Sequence, residues 1–200
     1  IGISADEVIQ ATLEEAYRRT VEKRGGELED AEMRAIAQAV ARSAVRYCMM
    51  QYNPLKEILF DIDQVLSLDG NTSSYLQYAL VRTESLGRRA AEEGIDAEAI
   101  WAGAESLDYS ELTEEEIDLV KAVARYSSIF ARALENLAPH YVTDYAFELA
   151  GLFTQFYHKC SVLKAESEAL VERRLALSRA VNQILSNVFD LLGLDKLEAM

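Results

Sequence analysis

Residues 60–82 read FDIDQVLSLDGNTSSYLQYALVR. This stretch decides the fold because it breaks the helical rhythm on either side of it. Gly70-Asn71-Thr72-Ser73-Ser74 is the one long run of small polar residues in the chain. Such side chains bond their own backbone and accept unusual dihedrals, so the run predicts a structured loop. A helix is expected just after it, with Ser73 or Ser74 as the N-cap. Its first turn carries Tyr75 and Tyr78, three apart and therefore on one face. Two readings stand side by side: a stacking platform beside a polar loop, or two half-buried core tyrosines.

Working outward toward the N-terminus, Ser4-x-x-Glu7 is a capping box that opens a helix to about Arg24. Val8, Ile9, Leu13, Tyr17 and Val21 give it an apolar side, and Gly25-Gly26 stops it with a left-handed residue. A second helix is predicted over residues 29–52, with Met33, Ile36, Val40, Ala44 and Tyr47 at helical intervals. Asn53-Pro54 ends it. Residues 55–69 are irregular and suit a short helix or an ordered connection.

Toward the C-terminus, a helix over residues 74–93 should end at Gly94. A short helix over 96–104, capped by Asp96, is expected to carry Trp101 into the core. Thr113-x-x-Glu116 is a second capping box. Its helix has Val120, Val123, Tyr126, Phe130, Leu134 and Leu137 on the expected buried side, and Pro139 breaks it. Leu149, Leu152, Phe153 and Phe156 form an apolar stripe. The last long helix, 167–192, has Leu177, Val181, Ile184, Leu185, Val188 and Leu191 on its expected core face, with Gly193 as cap. Nothing alternates with strand period, so the fold class is all-α, a helical bundle with preceding helices.

Two hundred residues, half of them hydrophobic, with two prolines and nine glycines, exclude a disordered chain. No apolar run approaches a membrane span, so no membrane partner is expected. Cys48 and Cys160 lack metal-ligand spacing, and no metal site is expected. A reducing cytoplasmic setting is the default for two such isolated cysteines. The net charge of −14 is not the footprint of a nucleic-acid binder. Residues 1–70 carry 8 basic and 13 acidic side chains, net −5, and residues 71–200 carry 12 and 21, net −9. Any RNA contact must therefore come from a local basic patch and from stacking.

No catalytic constellation is legible. The sequence contains no H-x-G-H, no K-M-S-K-S and no G-x-x-x-x-G-K-[ST]. His140 and His158 have no nucleophile at telling spacing. Asp61 and Asp63, two apart, would point to different sides of a helix, so acid–base pairing is not expected.

The opening stretch resembles arginyl-tRNA synthetases. Gly70-Asn71-Thr72, Tyr75-Leu76-Gln77-Tyr78-Ala79 and Arg82 are similar to that family's GNT-x-x-Y-L-Q-Y-A-x-x-R segment. Residues 60–70 are similar to its F-D-x-D-x-x-L-S-x-x-G. Ser74 stands where the family usually has proline, and residues 55–58 where many members carry Ser/Thr-Asp-Tyr. Residues 153–160, FTQFYHKC, resemble the family's F-x-x-F-Y-H/E-x-C. The ending LLGLDKLEAM resembles its L-L-G-I/L-x-x-x-E-x-M. The three segments occur in the family's order.

The resemblance implies the tail of a catalytic domain over residues 1–70 and an anticodon-binding bundle over 71–200. It implies a parent that attaches arginine to its tRNA with ATP and magnesium, with catalytic residues upstream and no cofactor in this portion. The implied partners are arginine tRNAs, through the anticodon stem-loop, and the upstream catalytic domain; no DNA is implied. The implied RNA contacts are Tyr75, Tyr78, Tyr157 and Met200, since loop bases stack on aromatic faces. Arg82 and Arg89 share a helix face beside Arg88 and offer phosphate contacts, as do Arg173, Arg174 and Arg179. His158 is a further RNA hydrogen-bonding candidate. Ordinary surface charge is the bland reading of these groups. The rival function is a non-catalytic protein-interaction module with an acidic surface. Arg82, Arg89 and Arg173 clustered beside the tyrosines would favour RNA.

Overall fold

The structure is a computed structural model describing residues 4–197. Ser4 accepts from the Glu7 amide and Glu7 returns the bond, so α1 runs Ala5–Arg24 as its capping box requires. Gly26, at φ 96°, supplies the left-handed residue beyond it. Helix α2 spans Asp30–Met50, ending before Asn53-Pro54. A four-residue α3, Ile62–Val65, is capped by Asp61 and resolves the irregular connection. Then come α4 (Ser73–Glu92), α5 (Ala97–Ala102) with its Asp96 cap, and a 3-10 turn at Ala104–Ser106. The chain continues through α6 (Glu114–Ala124), α7 (Tyr126–Glu135), α8 (His140–Lys159) and α9 (Glu168–Leu192). Gly193, at φ 63°, closes α9. The described residues contain no strand, only an isolated bridge between Gly25 and Leu28.

Several sequence expectations are corrected. The N-cap of α4 is Thr72, whose hydroxyl accepts from the Tyr75 amide at 3.2 Å; Ser73 and Ser74 lie inside the helix and are buried. Trp101 is 37% exposed and lies at the surface under Arg179. The helix expected to run to Pro139 is two helices. Tyr145 donates to the Ala122 carbonyl, which also accepts from Arg125, and this intrusion into the ladder separates α6 from α7. Past that break, Leu134 (75%) and Leu137 (80%) face solvent, as does Leu191 (57%).

Helices α4, α8 and α9 enclose the main core of Leu76, Leu80, Leu149, Phe153, Phe156, Leu185 and Phe189. Each fully buried Phe or Leu contributes about 1.5–3 kcal/mol. A second cluster joins α1, α2 and α3 through Ala16, Ala37, Ala41, Ala44, Cys48, Val65 and Leu66. Alanines let α1 and α2 approach closely.

Two polar devices tie distant segments. Glu116, fully buried, binds Arg174 at 2.8 Å and Arg173 at 3.3 Å, joining α6 to α9. Arg173 also donates to the Asp108 and Glu111 carbonyls. The second device holds the segment after α9. The Asp195 amide donates to Ser43 (2.9 Å), its carbonyl accepts from Gln77 (2.9 Å), and its carboxylate pairs with Arg42 (3.0 Å). Arg46 donates to the Gly193 carbonyl, and Leu194 and Leu197 are buried. The chain thus returns to α2.

Candidate nucleic-acid interface

The polar loop fixes where α4 begins. Gly70 adopts φ 86°, a conformation that suits glycine. The Thr72 hydroxyl donates to the Ser67 carbonyl at 2.7 Å while capping Tyr75. Asn71 turns inward: its Oδ1 lies 2.5 Å from the Tyr47 hydroxyl, and its amide donates to Asp144 at 3.4 Å. The structured loop expected from GNTSS is therefore observed, with α8 as one of its anchors.

From that anchor α4 and α8 run side by side in the same direction. Asn71 meets Asp144, Tyr75 meets Phe147 and Thr154, and Arg82 meets Tyr157 and His158. The Tyr75 ring sits edge-on to Phe147 with centroids 5.4 Å apart, and its hydroxyl lies 3.4 Å from Thr154 Oγ1. Tyr75 and Tyr78 are both half-buried, as either reading of them requires, and Tyr75 also packs against the main core. The Arg82 guanidinium stacks over Tyr78 at 4.2 Å and over Tyr157 at 5.0 Å. It also donates to the Tyr78 hydroxyl and approaches His158 Nε2 at 3.3 Å. Since the guanidinium has no acceptor, His158 Nε2 must be the accepting nitrogen in this contact.

Four of the sequence candidates, Tyr78, Arg82, Tyr157 and His158, therefore meet at one place, with Tyr75 beside them. Arg89 is exposed and lies two turns farther along the Arg82 face of α4. Met200 lies outside the described residues. The second basic group does not join them. Arg173 is 6% exposed and Arg174 is committed to Glu116 and the Ser161 carbonyl, so neither is offered to phosphate. Arg179 faces Glu98 and Trp101. The cluster of Arg82, Arg89 and Arg173 that would favour RNA over a protein partner does not form, because the buried Glu116 holds Arg173 in the core.

Sequence reading missed Phe147, Thr154 and Tyr47. Phe147, Gly151, Thr154 and His158 recur at three- and four-residue steps, so the second face of α8 was legible once its first stripe had been assigned. Tyr47 had no such signal, because its partners are remote in sequence. Burial and the nearby Asp144 charge hold its hydroxyl pKa well above the ordinary tyrosine value, so it remains a proton donor.

The face offers two aromatic rings, a guanidinium between them and an imidazole at the rim. That set suits stacking of flat rings and hydrogen bonding to anions. Among the described residues no group of acidic, Cys and His side chains is arranged to hold a metal, and no helix is long and apolar enough to cross a membrane.

Residues 76–200 match the family model of the DALR anticodon binding domain. The chain belongs to this DALR family. The matched stretch begins inside α4 and contains Tyr78, Arg82, Tyr157 and His158 of the DALR domain, while Tyr75 and the polar loop directly precede it. The whole chain is 40% identical to 31% of an arginine–tRNA ligase of Thermococcus kodakarensis. It is 36% identical to 31% of one from Pyrococcus abyssi. Among solved structures, an arginyl-tRNA synthetase of Thermus thermophilus superposes over the whole chain and 32% of its own length, with TM-score 0.84 and 29% identity. The chain thus spans about a third of the length of these relatives.

Proposed function

We propose that this chain is the tRNA-binding, C-terminal portion of an arginine–tRNA ligase, and that the α4–α8 face grips the anticodon stem-loop. The observation that carries the reading is the meeting of Tyr78, Arg82, Tyr157 and His158 on one face of a DALR domain. Unpaired bases stack on such rings, and a guanidinium beside them serves the backbone phosphates. Tyr75 and Arg89 extend the face, and Met200 belongs to the same proposal. Arginine isoacceptors are the tRNAs proposed, and the cytoplasm is the compartment.

In the parent, arginine would be activated with ATP and magnesium and passed to the tRNA 3′ end. No residue of this chain is assigned to that chemistry, since neither adenylation signature occurs in it. Residues 1–70 are proposed to pack with the catalytic part, and 71–200 to form the anticodon-binding bundle. The purified chain should give no arginine-dependent ATP–pyrophosphate exchange yet bind an arginine-tRNA anticodon stem-loop at low salt. Exchange activity, or no RNA binding even at low salt, would overturn the reading. The rival protein-interaction module has the exposed Leu134 and Leu137 in its favour.

A further inference from the structure

We propose that Tyr47 is a positioning residue of the RNA site: its buried hydroxyl sets the register in which α4 and α8 present their aromatic faces. The proposal rests on the reading of the α4–α8 face given above. Tyr47 lies on α2, outside the matched residues 76–200, and is 1% exposed. Its hydroxyl stands 2.5 Å from Asn71 Oδ1 and 3.0 Å from the Thr143 carbonyl. Asn71 immediately precedes the N-cap of α4, and Thr143 lies in the first turn of α8. One hydroxyl therefore touches the start of both helices. Both neighbouring oxygens are acceptors, so the hydroxyl's single proton is shared between them, with Asn71 Oδ1 the nearer.

The site lies downstream of this pin. Tyr75 is four residues past Asn71 and Arg82 eleven, or about 6 and 16 Å along a helix rising 1.5 Å per residue. The Arg82 guanidinium is 5.0 Å from the Tyr157 centroid, and such contacts fade beyond about 6 Å. A slip of one helical turn, about 5.4 Å, is enough to separate them. Tyr47 touches no proposed RNA contact itself; it acts through Asn71 and Thr143.

Tyr47→Phe deletes only the hydroxyl. Tyr145→Phe is the control: Tyr145 is also buried on α8 and also donates to a carbonyl, Ala122 at 3.0 Å, but toward α6. Tyr47→Phe should weaken affinity for an arginine-tRNA anticodon stem-loop about three- to tenfold at low salt. Tyr145→Phe should leave affinity unchanged at a similar loss in melting temperature. Asn71→Ala should weaken binding in the same way, and the double variant should bind no worse than the weaker single. Asn71→Ala carries the test if Tyr47→Phe does not fold. A folded Tyr47→Phe that binds as wild type, or a Tyr145→Phe that loses as much, overturns the proposal. Proton NMR cross-peaks between the Tyr75 and Phe147 rings read the register without RNA. Their loss in Tyr47→Phe supports positioning and their persistence refutes it, even if wild type fails to bind RNA and the functional reading falls.

Discussion

The guanidinium carbon of Arg82 lies 4.2 Å from the ring centroid of Tyr78 and covers one face of that ring. The same group covers Tyr157 at 5.0 Å, so a flat ring stacking there would meet the guanidinium first. Stacking and charge are coupled at this site.

That coupling makes the variants non-additive. Tyr78→Ala should weaken stem-loop binding by about 1–3 kcal/mol, the worth of one base–aromatic stack. Arg82→Ala should weaken cognate and non-cognate RNA alike and reduce the salt slope by about 1. The double variant should lose less than the two singles together, by about 0.5 kcal/mol or more. Fluorescence anisotropy across a salt series measures all three. Strict additivity would show that Arg82 and Tyr78 act separately. Tyr75→Ala should lower both melting temperature and affinity, because its ring also packs on Phe147.

Glu116 should control acid stability. Burial raises its pKa, but the Arg174 hydrogen bond, the Thr113 amide and the two guanidinium charges outweigh that, leaving it below the ordinary value of 4.5. A folded pKa below the unfolded one adds stability above the unfolded pKa, lost as pH falls through the folded one. Glu116→Gln leaves two arginines uncompensated and should cost about 3–5 kcal/mol at neutral pH. Thermal melts taken from neutral pH down through the carboxylate range should show a flatter acid limb for this variant. An acid limb as steep as wild type would assign the loss to other carboxylates.

Ser74 should be replaceable at a gain. It is 1% exposed, and its hydroxyl has no hydrogen-bond partner among the described residues. Ser74→Ala removes that unsatisfied group and favours the helix, so it should stabilise the chain by about 1 kcal/mol. Chemical denaturation compared with wild type checks this, and a fall in midpoint would mean the hydroxyl is bonded.

Local chemistry explains what could be read in advance. Both capping boxes, Gly193 and the Asp96 cap each act within a few residues, and each sits where the sequence placed it. The four residues that meet on the α4–α8 face lie in the segments that carried the family resemblance. Errors arose where a distant side chain decided the outcome. Tyr145 broke the α6–α7 helix from 23 residues away, and Glu116 took Arg173 from 57 residues away. Helical spacing placed Leu134 and Leu137 on a buried stripe, but that break turned them outward. Trp101 misled through composition: a large ring is not always interior, and here it shields a surface guanidinium.

The return of residues 194–197 to α2 has a consequence for the chain during its synthesis. Ser43 is fully buried in the finished fold, yet the amide it accepts from, that of Asp195, is made 152 residues later. At 5–20 residues per second the interval is roughly eight to thirty seconds. Until Asp195 is made, Ser43 lacks this donor and Gln77 lacks the Asp195 carbonyl as its acceptor. Helices α1 and α2 pair through residues close in sequence, and the Asp195 backbone adds its bonds to Ser43 and Gln77 last.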